Sequence, residues 1–189
     1  HAAVAAGVRP GDTVAVVGDG AVGLCGVLAA RQLGAERIVA LSRHEPRQRV
    51  AETFGATDLV PARGEEAVAR LLDLTDGVGA DATLECVGTG AAMETAFEIA
   101  RPGSMVGFVG VPHGVEPPVR TMFSRNVGLA GGVAPVRRYL PELLALVLDG
   151  SIDPSPVFDQ QLPLGEVAEG YRAMDERRAI KVLLDPSEA

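Results

Sequence analysis

The sequence predicts an α/β fold, a doubly wound parallel six-stranded sheet in the order 3-2-1-4-5-6 with a C-terminal α+β segment behind it. Three observations carry that reading. Short, almost continuously apolar strands alternate with helix-like segments from about residue 12 to 132, as in a parallel sheet covered on both faces. The largely β-branched run Val14–Val17 ends in Gly18-Asp19-Gly20-Ala21-Val22-Gly23, a G-x-G-x-x-G turn between a strand and a helix. Near Val133 the alternation changes character, which divides the chain into residues 1–132 and 133–189.

An alanine-rich lead-in ends at the turn Arg9-Pro10-Gly11-Asp12, before the first strand. The next helix runs from about Ala21 to Leu33 and stops at Gly34, a good residue past a helix end. Val22, Cys25, Val27, Leu28 and Leu33 can share its buried face, and Gly26, costly in mid-helix, implies a close backbone contact. The alternation continues with strand Arg37–Leu41, helix Pro46–Phe54, strand Asp58–Val60, helix Glu65–Leu74 and strand Ala82–Val87. Helix Ala91–Ala100 places Ala92, Met93, Ala96, Phe97 and Ala100 at helical spacing. Pro102-Gly103 then turns the chain into strand Ser104–Val109, and a proline-rich loop leads to a sixth strand, Val127–Ala130. Beyond Val133 the expectation is a helix Val136–Leu148, a loop Ser151–Pro156, a strand Val157–Leu162, a helix Leu164–Asp175 and a final strand Ile180–Leu184.

Composition narrows the function. With 17 basic and 25 acidic residues the net charge is −8, which argues against a general nucleic-acid or anionic-membrane surface. Cys25 and Cys86 form no C-x-x-C and no disulfide framework, so cytoplasm is the default compartment. His1, His44 and His113 are scattered without metal-ligand spacing, and no metal site is expected in this chain. The chain opens at His1 and not at methionine, so it reads as a piece of a longer protein.

In the glycine turn each glycine has its own task. Gly18 permits the tight turn, Gly20 lets a pyrophosphate reach the backbone, and Gly23 lets helix and strand pack closely. The free N–H groups and dipole of the following helix favour an anion there. Asp19 is an awkward neighbour for a pyrophosphate, and its side chain is expected to turn outward or to cap the helix. The end of the second strand carries further information. NAD sites place an acid about 20 residues past the glycines to take the ribose hydroxyls. Here Ser42-Arg43-His44 stands instead, with Arg47 and Arg49 soon after. A hydroxyl and a guanidinium suit a 2′-phosphate, so NADP(H) is the expected cofactor, with NAD as the alternative. Cys25 reads as core, and Cys86, at a strand's C-terminal end, as a pocket wall that does not react.

Four stretches in order resemble the cofactor-binding half of the zinc-dependent alcohol dehydrogenases, in the medium-chain dehydrogenase/reductase superfamily. They are R-P-G-D-T-V-A-V-V-G-D-G-A-V-G-L, D-A-T-L-E-C-V-G, R-P-G-S-M-V-G-F-V-G-V-P and the ending N-V-G-L-A-G-G with I-K-V-L-L-D-P. The resemblance implies that the N–H groups of Ala21 and Val22 hold the pyrophosphate and that Cys86 and Val87 flank a ribose. It implies that Val109, Val111, Leu129 and Ala130 hold the nicotinamide carboxamide through main-chain groups. It further implies an alcohol or carbonyl substrate, a catalytic zinc in an N-terminal domain this chain lacks, and a homodimer or tetramer built through the strand near 127–130. Residues 133–189 would complete that missing domain, leaving two strands without their usual partners, and the piece alone would bind cofactor without turnover. The alternatives are a zinc-free quinone or enoyl reductase of the same superfamily and a non-catalytic NAD(P)-sensing domain.

Overall fold

The computed structural model describes residues 1–187, in two units, His1–Leu143 and the chain from Leu144 onward. The first unit is built on six parallel strands: β1 (Thr13–Val17), β2 (Arg37–Leu41), β3 (Asp58–Val60), β4 (Ala80–Glu85), β5 (Ala100–Phe108) and β6 (Gly128–Gly131). Their order is β3-β2-β1-β4-β5-β6, as the alternation predicts. The sheet reverses direction of travel beside β1, whose Val17 is level with Leu41 on one side and Glu85 on the other. Val14, Ala15 and Val16 are wholly buried, so both faces of this strand are covered.

Helices α1 (Ala2–Ala5), α2 (Ala21–Gln32), α3 (Glu45–Phe54), α4 (Gly64–Leu74), α5 (Gly90–Ile99) and α6 (Val119–Arg125) provide the cover. One face packs Leu71 of α4 and Met93, Ala96 and Phe97 of α5 against Val17, Val39, Val60 and Val106. Thr89 caps α5, its hydroxyl accepting from Ala92 N–H.

Four local features differ from the sequence expectation. Helix α2 buries Gly23, Leu24, Gly26, Val27 and Ala30, while Val22 and Cys25 face outward. Counting apolar side chains misjudges that face because two of its contact positions are glycines. A Cβ on Gly26 would lie 3.4 Å from the Leu84 side chain and 3.7 Å from that of Val16, ordinary van der Waals contact, so the close backbone contact expected there is not found. The Pro102-Gly103 turn does not open β5 but bulges within it, since the register steps from Ala80↔Ala100 to Ala82↔Met105. The alanine-rich lead-in and the proline-rich loop contain α1 and α6, both too short to declare a periodicity. Finally, Cys86 and Val87 lie just past the end of β4 and not inside it.

The second unit begins within α7 (Val136–Leu148) and continues through β7 (Phe158–Pro163), α8 (Val167–Asp175) and β8 (Lys181–Asp185). The expected helix from Leu164 splits, Leu164–Glu166 being a 3-10 turn. The two strands pair with each other in parallel, Leu162 level with Leu184. A small core of Ala173, Ala179 and Val182, with Leu162, Met174 and Leu184 around it, holds the crossover.

Arg125, the last residue of α6, donates to the carbonyls of Phe97 and Glu98 (2.9 and 3.0 Å) and of Ala100 (2.7 Å). The first two are carbonyls that the end of α5 leaves without intrahelical donors, and the third belongs to the first residue of β5. Replacing Arg125 with Ala is expected to cost about 1.5–3 kcal/mol, by the worth of hydrogen bonds from a charged donor. Urea unfolding should show a lower midpoint with an unchanged slope.

Candidate functional site

The C-terminal ends of β1, β2, β4 and β5 converge on one edge of the sheet, at the point where the strand order reverses. The glycine turn sits at its centre. A Cβ on Gly23 would fall 1.9 Å from the Gly18 carbonyl oxygen, so only glycine lets α2 start so close to the end of β1. Gly18 has φ +119°, and a Cβ there would meet Val87 at 2.8 Å and Cys86 at 3.4 Å. The turn therefore abuts the residues that follow β4, and Cys86 N–H donates to the Val17 carbonyl at 3.0 Å.

Gly20 is different. Its φ is −77°, open to any residue, and a Cβ on it would meet nothing within 4 Å. The protein's own packing does not ask for glycine at this position. Gly20 is also the N-cap of α2, with no side-chain cap, so the N–H groups of the first turn, Ala21 and Val22 among them, have no side-chain acceptor. Room at the backbone beside uncapped donors fits the phosphates of a dinucleotide.

Beyond β2 the geometry departs from the sequence expectation. Asp19 neither turns outward nor caps α2. Its carboxylate accepts from Ser42 Oγ (3.0 Å, at Oδ2) and from Arg47 (3.2 Å, at Oδ1). The side chains of this Arg47–Asp19 ion pair are only 11% and 12% exposed. Ser42 is buried, and Gln48 donates to its carbonyl at 2.7 Å. Of the arginines near the end of β2, Arg47, an expected cofactor ligand, is thus already paired, and Arg49 pairs with Glu45 on the outer face of α3. Arg43 is exposed and makes no hydrogen bond or ion pair among the described residues. The signal for Asp19 lay in the register. Val17 and Leu41 are level, so the residues two past one and one past the other come together.

Glu85, the last residue of β4, was also missed. It is fully buried, and its Oε1 accepts from the N–H groups of Val87 (2.8 Å) and Gly88 (2.7 Å). The carboxylate shapes the turn that carries Cys86 and Val87. Its other oxygen, without a partner, lies 2.5 Å from where a Gly110 Cβ would stand. An acid ending an apolar strand was the legible sign. Past β5, Val109 gives its N–H to the Glu85 carbonyl at 2.9 Å, and the Val111 backbone packs on Gly88. Leu129 and Ala130 of β6 are level with Val106 and Gly107. The candidate residues therefore lie in the turn and along the ends of neighbouring strands, with Leu129 and Ala130 on the outermost one.

Among the described residues no three His, Cys, Asp or Glu side chains gather as a metal site, and no helix is long and apolar enough to cross a membrane. A cleft of about 310 Å³ lies at the opposite, N-terminal edge of the sheet, lined by Arg9, Asp12, Asp81 and Arg101. Its Asp81 is taken up by Arg101 and by Thr13 N–H, which gives it a structural task.

Burial first, and the Glu85 carboxylate next, push the Cys86 thiol up to about 12 from an ordinary 9.0. The folded chain thus keeps a proton that the unfolded chain loses near pH 9. Stability from this group is complete below that pH and falls as pH rises toward 12. Between pH 8 and pH 11 the wild-type chain should lose more stability than Cys86→Ala, as read from paired urea titrations.

The model of the zinc-binding dehydrogenase family matches residues 21–149. A protein described as a probable zinc-binding alcohol dehydrogenase of Mycobacterium tuberculosis is 40% identical over 173 residues, covering 90% of this chain and 44% of that protein. The alcohol dehydrogenase TADH from Thermus sp. ATN1 superposes with a TM-score of 0.89 at 36% identity, over 97% of this chain and 53% of that one. A solved NAD-dependent alcohol dehydrogenase superposes at 0.83 with 31% identity, over 95% of this chain and 52% of that one. The chain spans about half the length of the relatives it matches.

Proposed function

This chain belongs to the zinc-binding dehydrogenase family, and from that premise we propose that it is the nicotinamide-cofactor-binding half of a zinc-type alcohol dehydrogenase. The observation that carries the reading is the space at Gly20 beside the uncapped start of α2. The bound cofactor would supply a hydride acceptor, so that an alcohol gives up a hydride and a proton to become a carbonyl, or the reverse.

This chain's part is to bind and orient. Ala21 and Val22 offer N–H groups to the pyrophosphate, with Gly20 clearing its approach and Gly18 and Gly23 setting the turn beside it. Cys86 and Val87 form the wall beside a ribose, held in place by Glu85. Val109, whose N–H is already given to Glu85, would accept from the carboxamide at its carbonyl, together with the backbone of Val111, Leu129 and Ala130. Zinc ligands would come from a domain outside this chain, and residues 133–189 would complete that domain. In support, α7 buries none of its residues, while Leu140, Leu143, Leu144 and Leu148 are exposed.

The preferred cofactor in this proposal is NADP(H), held at its 2′-phosphate by the free guanidinium of Arg43. A charge-assisted hydrogen bond of about 1.5–3 kcal/mol corresponds to about 10- to 150-fold in affinity. Arg43→Ala should therefore weaken NADP(H) by that range and leave NAD(H) nearly unchanged in calorimetric titration. Equal NADP(H) affinity in both proteins would make Arg43 a solvated arginine and nothing more.

The assembly is proposed to be a dimer or tetramer in which two β6 strands meet. β6 is the outer strand of the sheet, and an uncovered outer strand is a template for pairing. Sedimentation at tens of micromolar should show at least a dimer, and Leu129→Pro, which removes one backbone donor, should shift it toward monomer.

A further inference from the structure

We propose that Asp19 recognises the free 2′-hydroxyl of the adenosine ribose, so that the chain admits NAD(H) beside NADP(H). The inference rests on the dinucleotide reading of the glycine turn, but not on the NADP(H) preference assigned to Arg43. Sites for NAD place a carboxylate at the end of the second strand for this hydroxyl. In this chain that position is Ser42, which cannot serve as an anionic acceptor. The structure brings a carboxylate to the same place from the neighbouring strand. Asp19, two residues past Val17, is fastened to Ser42 Oγ at 3.0 Å and to Arg47 at 3.2 Å.

The geometry suits an acceptor. An ionised carboxylate has about four lone-pair sites, and Ser42 and Arg47 each take one, on different oxygens. Each oxygen keeps acceptor capacity on a side chain that is mostly buried yet still 12% exposed. Ser42 and Arg47 lock its orientation, so little freedom is lost when a hydroxyl arrives. The same charge stands against a 2′-phosphate, whose oxygens can only accept. Asp19 and Arg43 therefore act on cofactor choice in opposite senses: the first favours the free ribose and the second the phosphorylated one.

Three ligands and three proteins test this by calorimetric titration of the full 189-residue chain. The ligands are NAD⁺, its analogue lacking the adenosine 2′-hydroxyl, and NADP⁺; the proteins are wild type, Asp19→Asn and Arg43→Ala. Wild type should bind the deoxy analogue at least about tenfold more weakly than NAD⁺, the lower bound for a hydrogen bond to a charged acceptor. Asp19→Asn should bind NAD⁺ and the analogue alike and bind NADP⁺ more tightly than wild type does. Arg43→Ala should keep the wild-type ratio of NAD⁺ to analogue. Equal affinity of wild type for NAD⁺ and the analogue would overturn the proposal and leave Asp19 as a tie between the turn and α3. Equal weakening of all three ligands by Asp19→Asn would do the same. Should Asp19→Asn fail to fold, the wild-type ratio decides alone. An intact ratio with NADP⁺ unaffected by Arg43→Ala removes only the NADP(H) preference, whereas no binding of any ligand sinks the dinucleotide reading and this inference together.

Discussion

The 1.9 Å between the Gly18 oxygen and the place of a Gly23 Cβ is the constraint on which the site depends. No side chain larger than hydrogen fits, and in return α2 begins immediately above the end of β1. That closeness brings the uncapped start of α2 to the end of β1. It also presses Gly18 against Cys86 and Val87, so the turn and the end of β4 hold each other in position. A shift of the helix start by one ångström would disturb the β4 turn as well.

Around this contact the charged groups are arranged in two ways. Glu85 and Asp19 are both acids at strand ends, yet Glu85 spends one oxygen on backbone N–H groups while Asp19 takes side-chain donors. The first acid fixes a main-chain path, and the second links the glycine turn to α3. Both are partly or wholly withdrawn from water, where interactions with charge are less screened than at the surface. Arg43, left in solvent, is the contrasting case.

The sheet order was legible because β-branched strands, glycine stops and helical spacing agree along residues 13–131. Elements with little local signal were not. Helix α1 has four residues and α6 seven, and each owes its form to packing, as the bonds from Arg125 to three carbonyls illustrate. The buried face of α2 was misjudged because Gly23 and Gly26 lie on it without a side chain to mark it, and Gly23 makes its contact by lacking one. In the site, Gly18, Gly20 and Gly23 could be read from spacing alone. The arginines could be counted but not sorted, since the register of β1 against β2 brings Asp19 to Ser42 while its pairing with Arg47 of α3 depends on how that helix packs.

The parallel pair β7–β8 has a consequence for how the chain opens. Two strands alone leave an outward backbone edge on each, and their core is limited to a few small and medium side chains around Ala173, Ala179 and Val182. Crossover, strands and core lie within one short stretch of sequence, so they can form and dissolve as a single cooperative unit without breaking the six-stranded sheet. Amide protons of β7 and β8 should then exchange together, ahead of those in β1 and β4. The chain would visit a state in which the crevice at the glycine turn is intact while its C-terminal portion is unfolded.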